Sequence, residues 1–345
     1  MIAPDDNNNQ RDSDSEEMIS SRNESTSCEQ NNVENITDGI NSVAILDTSV
    51  CANCGKEGNG SDMNTCNKCK MVKYCNAACK KKHRKKHKKA CEKRVAELFD
   101  EQLFKEVDEP AECQICFLPL PCDENEYAIF QSCCGKIVCH GCIYAMEVSE
   151  ETKDLCPFCR KPPPTSEIEV VKRIEKLMES GHAKGTYLAA CGYAAGTYGT
   201  AQDWNKANEL YLKAGELGCA DGYHSLAYSY NNNDRGVVKD QKKFEHYIGL
   251  AAIKGHTISR VLLASLEQLD GNEERAYKHW IIAAKAGRKR SLDMVQEGFI
   301  KGVVTKDEYA DTLRAYQKRQ NEIKSDDRDK AAASDRFSQL SHNLH

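Results

Sequence analysis

The sequence predicts a multi-domain chain: two small metal-stabilised α+β cross-brace fingers, then an all-α helical-repeat solenoid, with disordered termini. Three observations predict this fold class. Paired cysteines crowd two segments, 51–91 and 113–160, similar segments ending in glycine recur between residues 206 and 287, and both ends of the chain are polar. Segments as short as the first two cannot each bury a large apolar core, so another interaction has to hold them.

The 345-residue sequence carries 19 cysteines and begins with an acidic, polar stretch unlike a secretory signal. We therefore expect an intracellular protein, cytoplasmic or nuclear, in which clustered cysteines are metal ligands rather than disulfides. No apolar run approaches the roughly 18–20 residues of a membrane span, so we expect no membrane partner. Residues 1–50 hold 11 acidic and 2 basic side chains and no aromatic residue, which predicts a disordered acidic tail.

Segment 51–91 offers eight soft ligands in pairs. The pairs are Cys51 with Cys54, Cys66 with Cys69, Cys75 with Cys79, and His87 with Cys91. Zinc binds four such ligands in a tetrahedron, and each pair can supply two of them. Thiolates and imidazole in closed tetrahedra are typical of structural Zn²⁺, so the segment predicts two zinc sites and no metal catalysis.

This ligand spacing, with Tyr74 directly before Cys75, resembles the MYND-type zinc finger at all eight ligand positions. The resemblance implies interleaved sites, one on Cys51, Cys54, Cys75 and Cys79 and the other on Cys66, Cys69, His87 and Cys91. Arg84 stands where the family usually has a tryptophan, which removes an apolar anchor from the expected peptide-binding surface. His83 is an alternative ligand, although eight ligands already complete both sites.

The run from Lys80 to Lys89 has eight cationic side chains in ten positions. We interpret it as a solvated helix face of the finger. The alternatives are a nuclear import signal and a phosphate-contacting patch. No aromatic residue interrupts the run, which argues against stacking on bases and disfavours a nucleic-acid partner.

Residues 92–112 carry apolar residues at helical spacing and are predicted to form a helical linker. Segment 113–160 then pairs its cysteines again: Cys113 with Cys116, Cys133 with Cys134, Cys139 with Cys142, and Cys156 with Cys159. This pattern resembles the RING-type zinc finger in an all-cysteine variant. Lys136 stands at the usual histidine position and cannot ligate zinc, so Cys133 and Cys134 are the favoured substitutes and His140 is the alternative.

The RING resemblance implies one ion on Cys113, Cys116, Cys139 and Cys142 and another on Cys133, Cys134, Cys156 and Cys159. With the first finger, the chain would hold about four Zn²⁺. The resemblance also implies a ubiquitin-conjugating enzyme as partner, docked on Ile115 and Pro157. Arg160 follows the last ligand and takes the linchpin position, where a guanidinium can bridge two proteins. Such a finger has no nucleophile and catalyses by orienting the charged enzyme.

Three prolines, Pro162 to Pro164, end the second finger, and Ser166 with Glu169 predicts a capping box at the start of a helix. Three segments then align, each preceded by a second helix rich in small residues. They read KANELYLKAGELG, KFEHYIGLAAIKG and RAYKHWIIAAKAG and end at Gly218, Gly255 and Gly287.

This repeat resembles the Sel1-like branch of tetratricopeptide repeats and implies a helical solenoid over 165–324. Helix pairs of this kind stack because none can bury its apolar face alone. The solenoid is expected to offer a concave groove to protein partners. Residues 325–345 are polar and are expected to form a disordered tail.

Together these patterns favour a RING-type E3 ubiquitin ligase whose MYND finger and solenoid select protein clients. The alternative is a non-enzymatic zinc-finger and repeat scaffold for protein–protein interaction in signalling or transcriptional control. Nucleic-acid binding through the run from Lys80 to Lys89 is the third hypothesis. The client and the conjugating enzyme cannot be read from these patterns.

Overall fold

The structure is a computed structural model of the chain and describes residues 50–58, 62–106, 111–122, 128–149, 155–197 and 201–334. The chain divides into two compact units, residues 1–87 and residues 88–345. The acidic tail predicted over 1–50 lies outside the described residues, apart from Val50. None of the helices in the described ranges carries an apolar stretch that would reach across a lipid bilayer.

The first unit contains a short hairpin and the beginning of a long helix. Strand β1, Asn64–Thr65, pairs antiparallel with β2, Lys73–Tyr74. Helix α1, Ala77–Leu103, begins where the Asn76 side chain accepts a hydrogen bond of 2.8 Å from the Cys79 amide. Asparagine is a preferred residue at this position because its oxygen satisfies an N–H that the helix leaves unpaired. The lysines between 81 and 89 lie on this helix and are exposed, as a solvated helix face requires.

The second unit starts inside α1 and contains the second cysteine-rich finger. Strand β3, Ala128–Gln131, pairs antiparallel with β4, Lys136–Cys139, and helix α2, His140–Val148, follows at once. The buried hydrophobic cluster of this finger consists of Cys113, Leu120, Val138 and Cys139. Two of these four are predicted metal ligands, so the finger has little apolar core apart from its cysteines.

A series of helices follows the second finger, and each packs against the next one in sequence. They are α3 Glu167–Glu179, α4 Ala183–Ala195, α5 Trp204–Glu216, α6 Ala220–Asn231, α7 Gln241–Ile253, α8 Thr257–Leu269, α9 Glu273–Lys285, α10 Lys289–Ile300 and α11 Lys306–Glu322. The predicted helical-repeat solenoid is therefore confirmed. Ala214, Ala251, Ala283 and Ala284 are completely buried, so small side chains lie where these helices approach each other.

The repeat is set by glycines at the turns between helices. Gly181, Gly218, Gly255 and Gly287 have φ angles of 76°, 104°, 91° and 109°. A left-handed residue just after a helix ends the helix and pairs its last carbonyls, and glycine adopts this conformation without steric cost. The recurring glycine noticed in the sequence is therefore the residue that reverses the chain in each repeat.

The residue after two of these glycines starts the next helix through its imidazole. His182 Nδ1 accepts a hydrogen bond of 3.2 Å from the Gly185 amide at the start of α4. His256 Nδ1 accepts one of 3.1 Å from the Ser259 amide at the start of α8. Histidine thus takes the capping role that serine or aspartate usually has.

The predicted linker over 92–112 contains the last turns of α1, and they pack on the solenoid. The buried Arg260 side chain donates hydrogen bonds of 2.6 Å to the Leu103 carbonyl and 2.7 Å to the Ala252 carbonyl. Arg275 donates to both carboxylate oxygens of Asp100, at 2.8 and 3.2 Å. The end of α1 is therefore a structural part of the second unit.

Two sequence predictions in this unit need correction. The tail predicted to be disordered from 325 begins with helix α12, Asp326–Ala332, which is capped by the Ser325 hydroxyl. The predicted capping box at Ser166 is only half formed. The Ser166 hydroxyl accepts from the Glu169 amide, but the Glu169 carboxylate accepts from the Thr165 amide at 3.0 Å instead of returning to Ser166.

We predict that the solenoid folds without metal, because its buried clusters consist of aliphatic and aromatic side chains. Circular dichroism of the full chain in excess chelator should retain most of the helical signal. The loss should be limited to α1, α2 and α12, which have 27, 9 and 7 residues. A loss of more than half of the helical signal would contradict an independently folding solenoid.

Candidate metal centres

The structure brings the sixteen predicted ligands together in four groups of four, which match the groups expected from the sequence. Within each group the ligand atoms all lie within 4.8 Å of one another. The groups are Cys51, Cys54, Cys75, Cys79; Cys66, Cys69, His87, Cys91; Cys113, Cys116, Cys139, Cys142; and Cys133, Cys134, Cys156, Cys159. In each finger the first and third pairs share one group, and the second and fourth pairs share the other. This alternation is the cross-brace.

The spacing within the groups fits zinc. In a tetrahedron with Zn–S bonds of about 2.3 Å, neighbouring sulfurs lie about 3.8 Å apart. The Sγ atoms of Cys54 and Cys75 are 3.7 Å apart, and those of Cys75 and Cys79 are 3.6 Å apart. In the second finger both Cys113–Cys142 and Cys116–Cys139 are separated by 3.8 Å. The described cysteines are all free of disulfides. The donor sets and their spacing are consistent with about four zinc ions.

Four Cys-x-x-Cys pairs each form the same type of backbone turn. In each turn the residue after the second cysteine donates its amide hydrogen to the carbonyl of the first cysteine, and that residue has a left-handed φ. The four residues are Gly55 at 73°, Lys70 at 56°, Phe117 at 57° and Arg160 at 56°, with N···O distances of 2.9, 3.0, 2.8 and 3.0 Å. In the described ranges, these are the only places where a non-glycine residue has positive φ. Strained backbone is therefore concentrated at the metal centres.

The pKa values of the cysteine thiols within one metal group make metal binding dependent on pH. A hydrogen bond with the Cys139 thiol lowers the pKa of Cys113 to about 4, whereas burial raises the pKa of Cys142 to about 12. One member of the group therefore ionises readily and another retains its proton. A metal ion has to displace such protons to gain thiolate ligands, so its affinity falls as the pH falls.

Neither alternative histidine joins a metal group among the described residues. His83 Nδ1 lies 3.2 Å from the Tyr74 hydroxyl, and its ring stacks on His87 at 5.8 Å. His140 is the first residue of α2, and burial lowers its pKa. Cys133 and Cys134 instead occupy the β3–β4 turn, and their Sγ atoms are 4.0 Å apart. The geometry therefore favours the all-cysteine second site.

The residues expected to bind a conjugating enzyme have different surroundings. Ile115 packs against the buried cluster of the second finger. Pro157 lines a cavity of about 330 Å³ together with Met146, Leu155 and Arg173, and Ile115 is absent from its described lining. Arg160 is exposed, and its backbone completes the last Cys-x-x-Cys turn.

Sequence reasoning missed the left-handed position in the four turns. Gly55 was a possible signal, because glycine directly after a Cys-x-x-Cys pair is the residue that this backbone conformation favours. Lys70, Phe117 and Arg160 gave no comparable signal. Their conformation is visible only in the folded turn.

We predict that metal analysis of the purified chain finds about four zinc ions. Cys133→Ser should lower the content by one ion because it removes a thiolate from a closed tetrahedron. His140→Ala is the matched control and should leave the content unchanged. Loss of an ion in His140→Ala, with full content in Cys133→Ser, would reassign the ligand.

The shared turn predicts opposite effects for two exchanges at equivalent positions. Gly55→Ala puts a side chain into open space but forces it into a left-handed backbone, at a cost of about 1 kcal/mol. Lys70→Gly removes such strain from an exposed position. Because folding and zinc binding are coupled, the first exchange should weaken zinc binding about fivefold and the second should strengthen it. Competition with a chelating dye measures both. The same direction of change in both variants would contradict the strain argument.

Comparison with known proteins identifies the first finger. Residues 51–91 match the family model of the MYND finger. No curated protein matches the chain. Among solved structures, the chain is similar to a Sel1 repeat protein from Oxalobacter formigenes, with 16% identity and a TM-score of 0.38, over 60% of this chain and 87% of that one.

A second similar structure is a protective antigen of uropathogenic Escherichia coli strains, described as displaying an SLR fold. It has 20% identity and a TM-score of 0.33, and the match covers 59% of this chain and 42% of that one. TM-scores this low do not establish a common fold, so the description of the solenoid rests on its own helices. The family match covers both metal groups of the first finger, and it confirms that residues 51–91 form a MYND finger.

Proposed function

We propose that the chain is a RING-type E3 ubiquitin ligase that holds a ubiquitin-charged conjugating enzyme on its second finger. The observation that carries the proposal is the exposed surface beside the ligands of that finger. Phe117, next to Cys116, is 71% exposed, and Phe158, between Pro157 and Cys159, is 38% exposed. Large apolar side chains left in water on so small a module are typical of a surface that docks another protein.

The cation needed for the transfer step is available on the same finger. Arg160 is exposed and directly follows Cys159. The hydrogen-bonded turn between the two predicted zinc ligands therefore fixes the position of the Arg160 backbone. A guanidinium presents several donors in one plane and can bind carbonyl or carboxylate groups of two proteins at once. Arg160 would hold the charged enzyme and ubiquitin in a reactive orientation, and an acceptor lysine would attack the thioester.

The MYND finger and the solenoid would select the client protein. The solenoid has a cleft of about 200 Å³ between α5 and α6 that supports this role. Its lining includes Trp204, Tyr211 and Tyr228, and the Arg235 guanidinium lies 5.1 Å from the centre of the Trp204 ring. Aromatic walls beside an arginine are well suited to peptide side chains that combine apolar and acidic character.

A second candidate function is a zinc-finger scaffold that binds proteins without ligase activity. Ile115 favours it, because this side chain packs against the finger's own buried cluster, and the described lining of the cavity at Pro157 does not include it. A docking groove that needs both residues would then be incomplete. The exposed aromatic residues would still bind a partner in this case.

We predict that Arg160→Ala slows the discharge of a ubiquitin-charged conjugating enzyme to free lysine. Hydrogen bonds from a charged donor contribute roughly 1.5–3 kcal/mol each, which corresponds to about a tenfold to hundredfold slower transfer. Lys70→Ala is a matched control, since it removes a cation from the equivalent turn of the MYND finger. Both variants should keep their zinc. Single-turnover discharge measures the rates across a panel of conjugating enzymes.

The same assay separates the two functions. If the wild-type chain accelerates no charged enzyme, the scaffold replaces the ligase. If it accelerates discharge and Arg160→Ala does so equally, the ligase remains and Arg160 is not the bridging residue. Ile115→Ala should raise the concentration of conjugating enzyme needed for half-maximal rate if Ile115 contacts that enzyme.

A further inference from the structure

The segment after the solenoid folds back onto the second finger. Helix α12 packs against α2. The two helices approach closely at the buried Gly141, where a Cβ atom would lie 2.6 Å from the Arg328 amide nitrogen. Ala331, one turn later on α12, is completely buried. Two helix backbones can meet this closely only where a side chain is missing, so the glycine in α2 is a requirement of the contact.

The Arg328 side chain reaches the metal group of Cys113, Cys116, Cys139 and Cys142. One terminal nitrogen donates to the Pro119 carbonyl at 2.7 Å, and the other donates to the Leu118 carbonyl at 3.2 Å and to Cys116 Sγ at 3.7 Å. The guanidinium also interacts electrostatically with the Cys139 thiol. It therefore contacts one predicted ligand directly, together with the loop that follows this ligand.

The charges support a role at the metal. Zn²⁺ held by four thiolates carries a net charge of about −2, and a partly buried guanidinium needs a negative partner. The cysteines are the groups that interact electrostatically with Arg328. Of the aspartates beside it on α12, Asp327 pairs with Lys330 at 3.6 Å. Arg328 thus faces the thiolates with its charge free to offset theirs.

We propose that Arg328 is a positioning residue of this zinc site and that α12 is an integral part of the second finger. The guanidinium fixes the thiolate of Cys116 by a hydrogen bond and lowers the repulsion among the four sulfurs. Partners of this kind behind a metal ligand typically change metal affinity by about 10–100-fold when removed. The proposal concerns the zinc site and does not depend on ligase activity.

The test measures zinc release from the full-length chain to a chelating dye. Arg328→Ala should release one of the zinc ions at least about tenfold faster than the wild type. Lys330→Ala is the matched control, because it removes an exposed cation from the same helix. Truncation after Lys324 removes α12 and should act like Arg328→Ala. Release unchanged in both Arg328→Ala and the truncated chain would overturn the proposal.

A second measurement separates positioning from mere packing. In cadmium-substituted protein, Arg328→Lys keeps a cation near the sulfurs but loses the planar fork. The ¹¹³Cd resonance of one all-cysteine site should shift, and the zinc release rate should lie between those of the wild type and Arg328→Ala. If Arg328→Ala unfolds the finger, the lysine variant still decides the question. An unchanged ¹¹³Cd spectrum with wild-type release would show that Arg328 only packs there.

Discussion

Four soft donors within tetrahedral distance of one another are the interaction on which both fingers depend. In the second finger, two of the four residues in the buried cluster are themselves ligands, and Leu120 and Val138 are the others. Such a cluster cannot offset the chain entropy of its strands and turns, so the free energy of metal binding has to supply the difference. The solenoid is stabilised by apolar burial instead of metal binding. Its helices bury aromatic and aliphatic side chains against their neighbours and need no ion.

The sequence predicted the parts of this structure that follow from local spacing. A Cys-x-x-Cys pair places two sulfurs in one turn, and glycine recurring in similar segments marks helix ends, so the four metal groups and the solenoid could be inferred. Contacts between segments that are distant in the sequence produce no such local pattern. Arg328 and Cys116 are 212 positions apart, and nothing in the polar tail indicated that it returns to the finger. The capping box predicted that the Glu169 carboxylate accepts from the Ser166 amide. It accepts instead from the Thr165 amide, one residue earlier, because both amides lie within its reach.

Helix α1 shows how a segment read as a linker becomes part of the core. Its apolar residues were recognised by their spacing, but the spacing does not name their partner. Phe99 lies against Gly249, where a Cβ atom would come within 2.7 Å of the ring, and Phe104 lies 4.7 Å from the His279 ring. Arg260 and Arg275 then hold the backbone and a carboxylate of the same turns. The groups that decide the position of this helix therefore come from the other half of the sequence.

The histidine that starts α4 has a consequence for its own chemistry. His182 Nδ1 accepts from the Gly185 amide, so in the neutral ring the proton must be on Nε2, which lies 3.1 Å from the Gly135 carbonyl and donates to it. One imidazole tautomer thus joins the first repeat to the β3–β4 turn, between two of the metal-binding pairs. The two ring nitrogens therefore divide two structural roles, since Nδ1 caps the helix and Nε2 contacts the finger. A single side chain begins the solenoid and fixes its first turn against the second finger.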